Sequence, residues 1–195
     1  MKAKNNPKPN SVITVDPIKD VKDIKSIKRM LSDNPLHYAL FVVGINTALR
    51  AGDLLGLTVK DVKAILRDED GAFVRESKTR KKRRIIFNDA AKDALRNLLS
   101  LRDHEDGEPI FQGQRGKISE SYLCRLVKKW CNDIHLDGHY GSHSLRKSFG
   151  YHQRVTFKTD IPTLMEIFGH STQKQTLTYL CIQPDEIKSV YKNIL

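Results

Sequence analysis

The sequence predicts a mainly α-helical α+β domain carrying one small three-stranded antiparallel sheet, and three observations lead there. Apolar residues recur at helical spacing through most of the 195-residue chain. The period changes once, between residues 64 and 87, to short strand-like runs set apart by turn residues. With 39% hydrophobic and 29% charged residues, the composition is that of a globular chain, long enough for one well-buried domain and short for two.

Residues 1 to 16 carry Pro7, Pro9 and several lysines but few apolar side chains, and read as a flexible basic arm; the domain is expected over 17–195. Asp16-Pro17 reads as a helix start, the Asp capping and the Pro at the first helical position. Behind it Ile18, Val21, Ile24, Ile27, Met30 and Leu31 keep helical spacing. Asn34-Pro35 opens a second helix, whose stretch Ala39 to Ile45 is apolar nearly all round, the mark of a central core helix. A short third helix should follow Arg50, carrying Leu54 and Leu55.

The strand-like runs are Ala64-Ile65-Leu66, Ala72-Phe73-Val74 and Arg84 to Phe87, with a turn at Asp68 to Gly71. Helical patterning resumes at Asp89 to Leu101. A polar loop is expected over 102–118, then an amphipathic helix from Ser119 to Ile134 with Leu123, Leu126, Val127 and Trp130 on one side. Further helices are expected at about 144–153, 160–168, 172–179 and 184–193.

Thirty-four basic against twenty-three acidic residues leave a formal charge of +11, which points to a polyanionic partner without choosing between DNA and RNA. No apolar run approaches the roughly 18–20 residues that span a bilayer, and the first residues lack the apolar stretch of a secretory signal. The expected address is the cytoplasm, with no membrane partner. Cys124, Cys131 and Cys181 form no CxxC pair and no zinc-ligand spacing, so free thiols are expected, with neither metal nor cofactor.

Four segments carry candidate chemistry. In Thr47-Ala48-Leu49-Arg50-Ala51-Gly52-Asp53 an arginine follows an apolar helix with a carboxylate three residues on; alone, this reads as a surface salt bridge. Arg75 to Arg84 holds seven basic residues in ten, a ribbon suited to phosphates with or without chemistry. His143 and Arg146, spaced i and i+3 at a helix start, can project to one side and grip a phosphate, though such a pair is common by chance. Gly169-His170 precedes Tyr179 by nine residues, and a core tyrosine would explain the latter on its own.

Taken in order, Arg50, Lys78, His143, Arg146, His170 and Tyr179 resemble the tyrosine site-specific recombinase (phage integrase) family. The likeness runs over residues 35 to 182 and rests on Thr-x-Leu-Arg-x-x-Asp-Leu-Leu, a Lys-Thr in a basic hairpin, His-x-Leu-Arg, Gly-His, and a Tyr nine positions on. Ser144, Lys147 and Phe168 depart from the residues that usually flank these boxes. Residues 1 to 34 are too few for the separate DNA-clamping domain many members carry.

The resemblance implies the tyrosine recombinase catalytic fold and a bacterial or phage-encoded, nucleoid-associated enzyme. Tyr179 would attack a scissile phosphate, leaving a 3′-phosphotyrosyl link and a 5′-hydroxyl; the link keeps the bond's free energy, so rejoining needs no ATP. It implies Arg50 and Arg146 on the non-bridging oxygens, Lys78 as general acid, His143 as proton acceptor or relay, and His170 as a phosphate hydrogen-bonder. Lys81 and Lys82 could compete for the acid role; Arg80 could not, because a guanidinium keeps its proton. Arg75, Arg80, Lys81, Lys82, Arg83 and Lys147 are expected on double-stranded DNA. The implied assembly is a homo-tetramer on synapsed DNA, with accessory DNA-bending proteins possible. A non-catalytic DNA-binding regulator and a type IB topoisomerase are the alternatives.

Overall fold

The computed structural model describes residues 15–68, 71–75, 82–114 and 116–181, with the side chains of residues 72, 74, 75, 82 and 83 outside the description. The helical class with a small antiparallel sheet is as the sequence indicates. Nine helices and four short strands make up the described residues: α1 Val21–Met30, α2 Pro35–Asn46, α3 Ala51–Leu55, α4 Val59–Arg67, β1 Ala72–Arg75, β2 Lys82–Ile85, α5 Asp89–Leu99, β3 Gln112–Gly113, β4 Gly116–Lys117, α6 Glu120–Asp133, α7 Ser142–Val155, α8 Ile161–Phe168 and α9 Gln173–Tyr179. No helix among them is long and apolar enough to cross a membrane.

Helix α2 is the centre of the fold. Asn34 caps it by accepting from the His37 N–H, Pro35 occupies the first turn, and Ala39 to Gly44 are all buried. It packs chiefly against α5 and α7. Gly44 makes the α7 contact possible: a Cβ there would lie 2.7 Å from Leu145 Cδ1, so a side chain at 44 would push α7 away. Sequence thus fixes the seating of His143, Leu145 and Arg146 from a glycine about a hundred residues earlier.

The first helix begins later than expected. Asp20, not Asp16, is its cap, accepting from Lys22 N–H at 2.7 Å. Residues 16–18 stay outside the helix because distant groups claim their polar atoms. Asp16 exchanges two hydrogen bonds with His139, Ile18 N–H donates to Ser148 Oγ at 2.7 Å, and the Ile18 carbonyl meets His152 Nε2 at 2.9 Å. This strap lies across α7; of the arm expected over residues 1–16, residues 1–14 lie outside the described residues, and Asp16 is bonded to His139.

Ala64-Ile65-Leu66 is helix, not strand. Thr58 and Asp61 form a capping box, and Val59, Val62 and Ile65 fall on one buried stripe while Ala64 faces solvent. The expected three-stranded sheet is therefore a two-stranded antiparallel hairpin among the described residues, with Ala72 opposite Ile85 and Arg75 opposite Lys82. Gly71 enters β1 at φ 99°, a left-handed backbone that a side chain would strain.

The segment expected as a polar loop holds structure too. Ile110, Phe111 and Ile118 are buried, β3 pairs with β4, and the backbone bonds Leu57 and Val59 to residues 110 and 108. Alternation was too short there to register as strand. Helix α6 follows the sequence closely: Ser119 caps it and Leu123, Leu126, Val127 and Trp130 are buried. The helix expected at 184–193 lies outside the described residues.

Two apolar clusters result. The larger runs from Ile18 to Leu145; the smaller joins Ala48, Leu164, Phe168 and Leu180, with Phe149 and Tyr179 packed against it. The small cluster depends on Gly150 of α7, where a Cβ would stand 2.3 Å from Leu180 Cδ2 and 2.6 Å from Phe168 Cζ. Gly150→Ala is accordingly expected to destabilise the protein by about 1–3 kcal/mol through overpacking, despite alanine's better helix propensity. Urea denaturation checks it; a neutral or stabilising alanine would mean that α8 and α9 shift at little cost.

Candidate active site

The end of α2 sets the first residue. Thr47 returns its hydroxyl to the Val43 carbonyl at 2.8 Å, and Ala48 then turns the chain with φ 53°, a left-handed conformation that a non-glycine residue adopts at a cost of about 1 kcal/mol. Arg50 emerges as the N-cap of α3. The carboxylate of Asp53, 3% exposed, sits 3.9 Å from the Arg50 guanidinium, which is 28% exposed. The pair is thus no surface salt bridge: a buried carboxylate orients a half-buried guanidinium.

Helix α7 supplies the next two residues. Its first turn is closed by Ser144, whose hydroxyl accepts from Gly141 N–H at 3.1 Å while its own N–H donates to the Gly141 carbonyl at 2.9 Å. His143 projects outward from this turn. Partial desolvation first, then the Arg146 charge, hold its pKa below the ordinary imidazole value; Glu120 pulls it up, and Lys147 and Arg50 add to the lowering.

Arg146 is buried. One arm of its guanidinium donates to the Ala48 carbonyl, the other donates to the Phe168 carbonyl at 3.1 Å, and its Cζ lies 4.7 Å from the Phe168 ring centroid. The strained turn at Ala48 therefore has a purpose, since it aims a carbonyl at this arginine.

Gly169 ends α8 at φ 66°, and the left-handed turn delivers His170. The His170 ring stacks on Phe168 at 5.4 Å, and its Nδ1 is 3.0 Å from Thr176 Oγ1. Burial, then Arg146 and Arg50, lower its pKa.

Tyr179, the last residue of α9, packs against the edge of the stacked Phe168 and His170 rings, each 5.2 Å away. Its hydroxyl is shut from solvent and makes no well-formed hydrogen bond among the described residues. Burial raises its pKa; the charge of Arg146 and then that of Arg50 pull it back down, and Cys181 adds a small push upward.

Five of the six residues that sequence placed in one set thus stand together: Arg50, His143, Arg146, His170 and Tyr179. The sixth, Lys78, lies outside the described residues, as do Arg80 and Lys81; Arg75, Lys82 and Arg83 contribute described backbone to β1 and β2 but no described side chains. Lys147 is a correction. Expected on the DNA, it is only 4% exposed, with its ammonium over the Tyr179 ring at 5.3 Å. The helical turn that points Arg146 inward carries residue 147 inward beside it.

Sequence reasoning missed Thr176, which lies three residues before Tyr179 on the same helix face and could have been found from that spacing. Phe168, which the sequence marks only as a departure from the residue usually flanking its box, is the platform under both Arg146 and His170. The three cysteines are free; Cys131 is buried and Cys124 and Cys181 are half-buried. Among the described residues no group of His, Cys, Asp and Glu has the arrangement to hold a metal ion.

Comparison with known proteins places this geometry. The sequence pattern of the "Phage integrase family" matches residues 19–186. A "Probable integrase/recombinase YoeC" of Bacillus subtilis is 35% identical over 181 residues, covering 91% of this chain and 96% of that protein. "Tyrosine recombinase XerC" of Neisseria gonorrhoeae is 29% identical over 79% of this chain, which spans 50% of that relative's length. Among solved structures, that of XerA recombinase superposes with a TM-score of 0.72 at 22% identity, covering 94% of this chain and 65% of the other. The Tn1549 transposon integrase, solved with circular intermediate DNA, gives 0.68 at 21% identity, covering 96% and 67%.

Proposed function

We infer, since this chain belongs to the phage integrase family, that it is a site-specific DNA recombinase that cuts and rejoins strands through Tyr179. One observation carries this reading: the Tyr179 ring packs against Phe168 and His170, with Arg146 seated on the same Phe168 ring, so that burial raises the phenol's pKa while Arg146 and then Arg50 draw it back down. A tyrosine kept only for packing has no use for two converging cations.

The chemistry follows from the groups in place. A phosphodiester is already anionic, and attack by the Tyr179 oxygen builds further charge on its non-bridging oxygens. Arg50 and Arg146 would meet that charge; planar guanidiniums suit it better than an ammonium point charge, at roughly 3–4 kcal/mol each by analogy with oxyanion donors. Arg146 is preorganised by two carbonyls and an aromatic face, so little reorganisation accompanies the transition state.

As the tyrosine oxygen bonds to phosphorus, its proton passes to His143, whose lowered pKa keeps the imidazole neutral and able to accept it. The bond from phosphorus to the 5′-oxygen breaks, and Lys78 delivers a proton to that oxygen. His170, oriented by Thr176, hydrogen-bonds the phosphate. Rejoining is the reverse, with an incoming 5′-hydroxyl displacing the tyrosine. The basic hairpin, Arg75 and Lys78 to Arg83, would run along the duplex backbone, where each neutralised phosphate releases counterions. A tetramer on two synapsed sites is the assembly in which strand exchange would occur.

The test is covalent capture. The protein is incubated without ATP with a pool of duplexes of randomised sequence, each nicked so that a short cleaved end diffuses away. An SDS-stable, protease-sensitive DNA adduct is expected, and the captured sequences then define a substrate. Binding of the pool without any covalent link would indicate a DNA-binding regulator instead.

A further inference from the structure

Lys147 is a buried cation with a specific place. It is 4% exposed, its ammonium lies 5.3 Å from the centroid of the Tyr179 ring and 3.3 Å from Cys181 Sγ. Withdrawing an ammonium from water is costly unless its contacts offset the loss, and a methionine or leucine would fill the same volume without that cost. Retaining a charge in such a position makes physical sense where the charge is used.

Its two contacts lie on either side of one residue. Helix α7 grips three successive positions at the end of α9: Lys147 the ring of Tyr179, the Gly150 gap the side chain of Leu180, and Lys147 again the thiol of Cys181. Two of these grips come from a single side chain, one on the residue that would attack DNA and one on a residue two positions beyond it. The ammonium lies over the ring, so it bears on where the phenol sits.

We propose that Lys147 is a positioning residue for the nucleophile: its charge holds the Tyr179 ring and the Cys181 thiol against α7, and so keeps the phenol oxygen beside Arg146. This rests on the reading of Tyr179 as the attacking group. The clamp is adjustable, since a cation–π contact is short-ranged and undirected about the ring axis, and α9 can tilt without losing it at once.

Two variants test it, Lys147→Met, which keeps length and loses charge, and Lys147→Arg, which keeps charge and can stack. The readouts are single-turnover cleavage of a captured duplex, affinity for that duplex, and the rate at which iodoacetamide labels Cys181, followed by peptide mass spectrometry. Lys147→Met is expected to slow cleavage about 30-fold, the scale of a desolvated cation–π contact, with affinity unchanged and Cys181 labelled faster. Lys147→Arg should restore most of the cleavage and most of the protection. Wild-type cleavage by Lys147→Met, or an arginine variant that folds yet cleaves as slowly as the methionine one, would overturn the proposal. If the wild-type chain forms no adduct on any duplex, the recombinase reading fails separately, and unchanged Cys181 labelling in Lys147→Met then overturns the clamp by itself.

Discussion

Arg146→Lys is expected to slow strand cleavage by about 100- to 1000-fold, the loss seen when one preorganised donor to a developing oxyanion is removed. The substitution keeps a positive charge, so the size of the effect measures geometry. The guanidinium holds the Ala48 carbonyl with one arm and the Phe168 carbonyl with the other while its central carbon sits over the Phe168 ring. A lysine offers a point charge on a flexible stem and cannot span the same two carbonyls and a phosphate in one plane.

The same change should lower stability by about 1–3 kcal/mol, because a buried carbonyl is left without its donor. Duplex affinity should change far less than cleavage, since binding is spread over many phosphates. Single-turnover cleavage, duplex binding and urea denaturation together make the check. A lysine variant cleaving at near the wild-type rate would mean that Arg146 serves the fold alone.

Tyr179→Phe is expected to abolish the covalent adduct outright while leaving duplex binding intact. The phenol oxygen is the only atom removed, and the ring contacts to Phe168, His170 and Lys147 persist. Stability should hold or rise slightly. The hydroxyl is buried with no well-formed hydrogen bond among the described residues, so its removal relieves a desolvated polar group. A residue that costs nothing to the fold and everything to the reaction is the signature of a nucleophile. A phenylalanine variant that still becomes linked to DNA would place the attacking group elsewhere.

Much of this was legible in the sequence, for reasons that differ by element. The seating of α2 was plain because a capped, nearly all-apolar helix has one place to go, and the α6 stripe was plain because its period is long and regular. The strand assigned to Ala64-Ile65-Leu66 failed because three consecutive apolar residues suit either state, and the deciding signal, the Thr58–Asp61 capping box, lay six residues upstream. The helix start at Asp16-Pro17 failed because the cap of a helix and the anchor of a strap use the same side chain. Only the distant His139 and Ser148 decide between them.

The candidate residues were singled out by their order along the chain, and the structure brings five of them together. Their burial was not legible. Nothing local distinguishes Lys147, turned under Tyr179, from a lysine turned to solvent, and the packing of α8 and α9 onto Gly150 settles it. The role of Phe168 was hidden likewise, because a platform for Arg146 and His170 needs three segments to meet.

The most direct measurement is the identity of the residue that carries DNA. After capture on a nicked duplex, the adduct is digested with nuclease and protease and the nucleotide-bearing peptide is sequenced by mass spectrometry. The mass of a 3′-linked nucleotide phosphate is predicted on Tyr179, with a 5′-hydroxyl on the released strand. Attachment at any other residue, or a released strand ending in a 5′-phosphate, would contradict the account.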